Sequence, residues 1–278
     1  MRVLITGAGG AIGGAIVRAF AKEGCRLLLC GRSASALEQM KRELSVSGIG
    51  VEIFAADVSE IEDSKKLRVF ASEHFGHLDI LVLAAGIYGE IGAIEDCDES
   101  RWLDAVKTNL FGAFLCIKYA LPLMERGGRI ITLAGGGEGP LPFLSSYACS
   151  KGAVIRLTES LSKELEDRGI GINAISPGWV NSGLTEAIIQ AGPAKAGQER
   201  YDKAVKERSG EVPTVSPDRA AALAVFLAAS ESSGLTGKNI SAAWDNWKEI
   251  PEHLKIIMES DIYSWRRIKP RDRGYEWR

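Results

Sequence analysis

The sequence predicts an α/β protein built on a doubly wound parallel sheet. Three observations carry that reading. Short apolar runs alternate with helical stretches along most of the chain. The runs are continuous rather than apolar–polar alternating, as in strands buried on both faces. A glycine-rich turn follows the first run. Strand–helix alternation repeated in this way folds through right-handed crossovers into one sheet with helices on both sides.

The elements follow in order. RVLIT reads as the first strand and Ala11 to Glu23 as the first helix. RLLLC and VEIFAA are strands, followed by helices from Ser33 to Ser45 and from Glu60 to His74. DILVLAA is the next strand, and Glu99 to Met124 reads as one long helix. RIITLA, a helix from Ser145 to Asp167 and the strand GINAIS complete the regular alternation. Residues 181–213 contain AGPAKAG and many charges, and read as an excursion between strand and helix, a candidate lid. GLTGKNISAA looks like the last strand. The expectation is a single domain over residues 1–243 with an extension over 244–278. No fixed-period repeat or low-complexity segment is visible.

Composition bounds the class. A chain of 278 residues holds a core without staples. Hydrophobic residues at 46% and charged residues at 25% describe an ordinary globule. A net charge of -2 argues against nucleic acid or an anionic membrane surface as partner. The five cysteines are scattered without a C-x-x-C pair, so buried reduced thiols are expected rather than a disulfide framework or a metal site. MRVLITG enters a strand with no secretory leader, and no apolar run is long enough to span a bilayer, so the expected location is cytoplasmic.

The turn in LITGAGGAIGGAIVRAF lets backbone N–H groups approach a diphosphate at a helix N-terminus. The G-x-G-x-x-G spacing fails, because Gly7 and Gly9 fit but Ile12 takes the third place. A register of Thr6-Gly7, three residues, then Ala11-Ile12-Gly13 fits better. Gly7, Gly9, Gly10, Ala11, Ile12 and Gly13 are the candidate phosphate contacts; a tight turn without ligand is the alternative. After the second strand, Gly31 and Arg32 stand where an NAD site usually places an acid. Arg32 and Ser33 can meet a 2′-phosphate, so NADP(H) is preferred over NAD(H); a solvated arginine at a helix start is the alternative.

Tyr147 and Lys151 are four residues apart, on one face of a helix. A free phenol titrates near about 10. A neighbouring ammonium favours the phenolate and lowers that value. The pair is then an acid/base unit for reducing a carbonyl or oxidising an alcohol.

TGAGGAIG, ADV, the AAG ending at Gly86, TNLFGAF, YACSK and SPGWVNSG lie in that order. On these motifs the chain resembles the short-chain dehydrogenase/reductase family over about Met1 to Ala243. The resemblance implies a Rossmann-type fold, NADP(H), a small carbonyl or alcohol substrate, and a homodimer or homotetramer. It implies Tyr147 as proton donor, Lys151 lowering its pKa and binding ribose, and Asn109 kinking its helix and holding a relay water. A satisfied polar residue in mid-helix is the alternative for Asn109. Asp57 would meet the adenine amino group and Val58 line the ring, with a plain helix cap as the alternative for Asp57. Ala84, Ala85 and Gly86 would border the cofactor. Pro177, Gly178, Val180 and Ser182 would shape the nicotinamide end, and Ala134, Gly135 and Trp179 the substrate side.

Two departures stand out. Leu83-Ala84-Ala85-Gly86 replaces the family's Asn-Asn-Ala-Gly. The family also has a serine thirteen residues before the tyrosine, and that count lands on Ala134. Losing a donor aimed at developing charge costs about 10²–10³ in rate. A backbone N–H of Gly135–Gly137, or the hydroxyl of Thr132, Ser145 or Ser146, can replace it; Glu138 is a further loop acid. The expectation is retained activity. The alternative is a weak or inactive relative acting as an NADP(H)-binding regulatory or scaffold protein. The extension carries Trp244, Trp247, Trp265 and Trp277. Either Trp244, Trp247 and Trp265 wall the pocket, with Arg266 and Arg267 meeting an anionic group, or the tryptophans pack on the core or a neighbouring subunit with the arginines solvated, which is the preferred reading. The substrate itself is not legible.

Overall fold

The computed structural model describes residues 1–45, 48–135 and 140–277. The sheet has seven parallel strands among these residues: β1 (Arg2–Thr6), β2 (Arg26–Gly31), β3 (Val51–Ala55), β4 (Leu78–Leu83), β5 (Met124–Leu133), β6 (Gly171–Ser176) and β7 (Asn239–Ser241). Their order is β3-β2-β1-β4-β5-β6-β7. The chain winds outward from β1 to β3, crosses back beside β1, and winds the other way to β7. A crevice therefore opens at the C-terminal ends of β1 and β4, where the winding reverses.

The strands are apolar because both faces are covered. Val3, Ile5, Leu27, Leu29, Ile80 and Val82 point to one side, against α1 (Ala11–Lys22) and α9 (Pro217–Ala228). Leu4, Leu28, Leu81 and Leu83 point to the other, against α3 (Ile61–Phe75) and α5 (Gly112–Ala120). α2 (Ala34–Leu44) packs beside α1 through Leu37 and Met40.

The expected long helix from Glu99 to Met124 is broken into pieces. α4 (Glu99–Val106) runs into a π turn over Lys107–Phe111, α5 follows, and a short turn at Leu121–Leu123 leads into β5 at Met124. Pro122 lies in that turn, and it has no N–H to continue a helix. Residues 181–213 are mostly helical: Gly183–Ala196 (α7) and Gln198–Ser209 (α8). Gly192 at φ +74° kinks α7 ahead of Pro193, and Gly197 separates the two helices. α6 (Ser145–Glu164) carries the expected Tyr–Lys pair.

The extension is tied to the sheet rather than draped over the crevice. Ile250 and Ile257 of α10 (Ile250–Met258) are buried in the core cluster that holds α1 and α9. Trp247 leans on Phe226 with ring centres 5.3 Å apart. The Tyr263 carbonyl accepts from Asn239 N–H at 2.8 Å, which covers part of the β7 edge. Trp265 approaches Gly152 of α6, and its backbone is held by Arg156 and Glu159. Arg266 is engaged by Asp261 and Asp272 of its own segment, which weighs against the alternative in which it meets an anionic substrate group. Of the cysteines, Cys25, Cys30 and Cys116 are buried, while Cys97 is half-buried and Cys149 exposed. No helix among the described residues is long and apolar enough to cross a membrane.

Burial separates the two ends of the extension energetically. Ile257→Ala removes buried methyl groups and is expected to lower stability by about 2–4 kcal/mol. Trp277→Ala, at a side chain 62% exposed, should stay within about 0.5 kcal/mol. Urea denaturation of both variants reads the contrast; equal effects would mean that α10 is not part of the core.

Candidate active site

The crevice is built from backbone. Gly7 leaves β1 at φ +65°, and a Cβ there would lie 2.6 Å from the Ala84 and Ala85 backbone. A Cβ on Gly13 would run into the Gly7 carbonyl oxygen. Gly10 caps α1 without a side-chain bond, and the first turn of α1 holds no acid. Gly9, Gly10 and Ala11 are exposed, whereas Ile12 turns inward onto the core. The result is a cradle free of side chains, with unpartnered N–H groups at a helix N-terminus. Its donors and close approach fit a nucleotide diphosphate.

Next to the cradle, Arg32 is exposed and makes no ion pair or hydrogen bond among the described residues. Ser33 caps α2, its Oγ accepting from Ala36 N–H at 3.2 Å. Asp57 Oδ1 accepts from the Ser59 N–H at 3.0 Å and hydroxyl at 2.7 Å, so it ties the turn before α3 and leaves the cap position to Glu60. Val58 is buried against Gly112.

The segment after β4 links cradle to chemistry. Leu83 is core, and Ala84 N–H donates to the Thr6 carbonyl at 3.3 Å. A Cβ on Gly86 would stand 3.3 Å from both Asn109 Oδ1 and Lys151 Nζ. Asn109 lies in the π turn. Its Oδ1 accepts from Ile87 N–H at 2.8 Å, and its Nδ2 donates to the Ile87 carbonyl and to Ser150 Oγ, each at 2.9 Å. The kinked helix is thereby pinned to the β4 continuation and to α6.

Lys151 is buried and its Nζ donates to the Leu133 carbonyl at 2.7 Å. Burial pushes its ammonium down to about 8. Tyr147, in the first turn of α6, meets Tyr88 edge-on with ring centres 4.6 Å apart. Burial pushes the Tyr147 phenol up, and the Tyr88 phenol pushes the same way. The Tyr–Lys spacing alone predicts the opposite shift. The reason for the difference is that desolvation dominates both groups, and the ammonium spends its bond on Leu133.

The position beside the Tyr147 hydroxyl is Gly135, not Ala134. A Cβ on Gly135 would lie 2.5 Å from that oxygen, whereas Ala134 is buried with Ile155 and Ala174. The alternative hydroxyls are all committed. Thr132 bonds Thr158 at 2.9 Å, Ser145 accepts from Trp102 Nε1 at 2.9 Å, and Ser146 donates to the Tyr88 carbonyl at 2.9 Å. Gly136, Gly137 and Glu138 lie outside the described residues.

After β6, Pro177 is buried, and Gly178 at φ +80° comes so close to Ala243 that a Cβ would stand 2.8 Å from it. Trp179 Nε1 donates to Glu207 of α8, a buried carboxyl pushed up by desolvation. Val180 is buried, and Ser182 caps α7, its Oγ accepting from Leu184 N–H at 3.2 Å. Sequence reasoning passed over Tyr88, Glu90 and Glu207. Glu90 is buried and holds Arg101 of α4 at 3.0 Å and Lys195 of α7 at 3.3 Å. The segment AAGIYGEIG offers no periodic signal for Tyr88 or Glu90.

A backbone cradle at the reversal of a doubly wound sheet, with a half-buried tyrosine and a buried lysine beside it, is the arrangement of nucleotide-dependent oxidoreductases. The family model described as short chain dehydrogenase matches residues 1–192, and the chain belongs to the short-chain dehydrogenase/reductase family of oxidoreductases. It is similar to galactitol 2-dehydrogenase (L-tagatose-forming) of Cereibacter sphaeroides, 33% identical over 240 residues, which cover 84% of this chain and 89% of that one. The solved structure of a variant actinorhodin polyketide ketoreductase with NADPH has a TM-score of 0.77 and 29% identity, covering 86% of this chain and 94% of the other. NAD+-bound xylitol dehydrogenase has a TM-score of 0.77 and 27% identity, covering 86% and 96%.

Two measurements follow from the geometry. Gly135→Ala sets a methyl group against the Tyr147 oxygen and is expected to lower turnover by about tenfold or more, since a displaced catalytic group loses rate steeply; unchanged turnover would mean that the phenol is not held there. Lys151 titrates lower folded than unfolded, so the unfolded chain binds the extra proton between about 8 and 10.5. The burial penalty is complete below about 8 and is relieved as pH rises. Against Lys151→Met, the native protein should therefore gain about 3 kcal/mol of stability between pH 7 and pH 10.5. A pH-independent difference in denaturation would contradict the burial.

Proposed function

We propose that the chain interconverts a carbonyl and a secondary alcohol on a small molecule with NADP(H). The observation that carries this reading is the bare backbone of Gly135 against the Tyr147 hydroxyl, where a Cβ would stand 2.5 Å from that oxygen, beside a cradle that accepts a diphosphate. When bound, the nicotinamide supplies or accepts the hydride. In reduction Tyr147 donates its proton to the carbonyl oxygen, and in oxidation it takes the proton back. Lys151, four residues on, is the cation that favours the phenolate and is in place to bind a ribose hydroxyl. Asn109 holds Ile87 and Ser150, and so fixes the strand end and the helix that carry the pair. Gly135 and Trp179 border the substrate side. Ala134, being core, acts through the backbone of its neighbour.

The cofactor choice rests on Arg32. An exposed, unpaired guanidinium next to the Ser33 cap suits a 2′-phosphate. Asp57, Val58, Ala84, Ala85, Pro177, Gly178, Val180 and Ser182 complete the proposed cofactor wall, several of them through backbone alone. Assembly as a homodimer or homotetramer is part of the same proposal, and light scattering reads it. One observation favours a second reading, an NADP(H)-binding regulatory protein: the Tyr147 phenol faces a glycine, Gly135, and is pushed up by burial.

NADPH consumption over a carbonyl panel separates the two. Tyr147→Phe is expected to lose about 10²-fold or more of the turnover seen with the native chain. NADPH binding with no turnover by the native protein would favour the regulatory reading. Arg32→Ala should raise KM for NADPH about tenfold and leave that for NADH nearly unchanged, the loss of one charge-assisted contact. Equal effects on both would remove the case for NADP(H).

A further inference from the structure

We propose that Arg200 makes this pocket selective for substrates that carry a carboxylate besides the reacting carbonyl or alcohol. The inference rests on the reading of Tyr147 as the proton donor and adds the substrate class.

Arg200 lies on α8, one turn before Ala204. Ala204 is fully buried in a cluster with Ile91, Leu144 and Ile188, and Tyr88 and Tyr147 pack against that cluster. Residues four apart share a helix face, so Arg200 stands on the side of α8 that meets the two tyrosines. Its guanidinium carbon is 5.9 Å from the centre of the Trp179 ring. It is also near enough to Tyr88 to favour that phenolate against burial.

The charges around it do not cancel. Glu207 accepts from Trp179 Nε1, and Lys203 stands 3.9 Å from its carboxylate and 4.4 Å from the same indole ring. Lys203 therefore offsets Glu207. Arg200 makes no hydrogen bond or ion pair among the described residues and is half-buried. One positive charge is left over, beside the wall that ends at the Tyr147 ring. A planar guanidinium partly removed from water, with its donors unspent, binds a carboxylate in two-pronged fashion. Arg266, the alternative anion contact considered from the sequence, is already engaged by two aspartates.

The test uses paired probes with the full chain and NADPH: 3-oxobutanoate, 4-oxopentanoate and 5-oxohexanoate, each against its methyl ester. Turnover and calorimetric binding in the presence of NADP+ are both read. For at least one chain length the native protein is expected to favour acid over ester by about tenfold or more in kcat/KM, the worth of one charge-assisted bond. Arg200→Met should bring that ratio towards one, and Arg200→Lys should restore part of it. A native preference for the esters, or a preference for acid that survives Arg200→Met, would overturn the proposal. If nothing turned over but acids bound in an Arg200-dependent way, the catalytic reading would fail while the anion site stood. Absence of both turnover and acid-selective binding would remove the site.

Discussion

The contact on which the rest depends is backbone against backbone: the end of β1 against the end of β4. Gly7 has no room for a Cβ because Ala84 and Ala85 pass within 2.6 Å of where it would be. Gly13 has none because α1 folds back onto Gly7. These approaches aim the N-terminus of α1 at the crevice and send the chain after β4 past it. The same chain then delivers Gly86 to Asn109 and Lys151, and Lys151 reaches the Leu133 carbonyl. Two residues further on, Gly135 meets Tyr147. Cradle and Tyr147, the proposed proton donor, are thus joined by a continuous run of close contacts, and a side chain at Gly7 or Gly13 would disturb both together.

Burial then sets the protonation of the pair. The Lys151 ammonium is pushed down to about 8 and the Tyr147 phenol is pushed up. Both shifts favour the uncharged form, so without ligand the pair gains little from mutual attraction. Hydrogen bonds that stabilise the ammonium would raise its charge fraction and favour the neighbouring phenolate. Among the described residues the Leu133 carbonyl is such an acceptor.

Most of the sheet was legible because strands buried on both faces leave an unbroken apolar run. RLLLC is an example: Leu28 and Cys30 face one layer while Leu27 and Leu29 face the other. The glycine turn was legible because its spacing reflects steric need. What counting could not see was loop length. Thirteen residues before Tyr147 is Ala134, but the residue facing the phenol is Gly135, because only the fold measures how far the loop between β5 and α6 reaches. The break at Asn109 was anticipated, but the end of α5 was not; Pro122 marks that end, and the extent of β5 depends on the Gly127–Gly128 bend that lets it start at Met124. Tyr88, Glu90 and Glu207 were missed for a different reason. Each gets its role from partners distant in sequence, and no local pattern encodes that.

Those three residues show how the substrate side is held. The core positions strands and the lower halves of the helices through apolar packing. α7 and α8 rest on a small apolar cluster of Ile188, Ala196 and Ala204 with Ile91 and Leu144, and two buried carboxylates add polar ties to it. Glu90 reaches Lys195 near the end of α7 and Arg101 on α4. Glu207 ties α8 to Trp179. Removing one partner from a buried charge leaves the other uncompensated, which costs about 3–5 kcal/mol. Apolar packing and these two carboxylates together hold α7 and α8. The proposed selectivity of Arg200 on α8 is then separable from the proposed acid/base pair, because Lys151 is anchored in the sheet through Leu133.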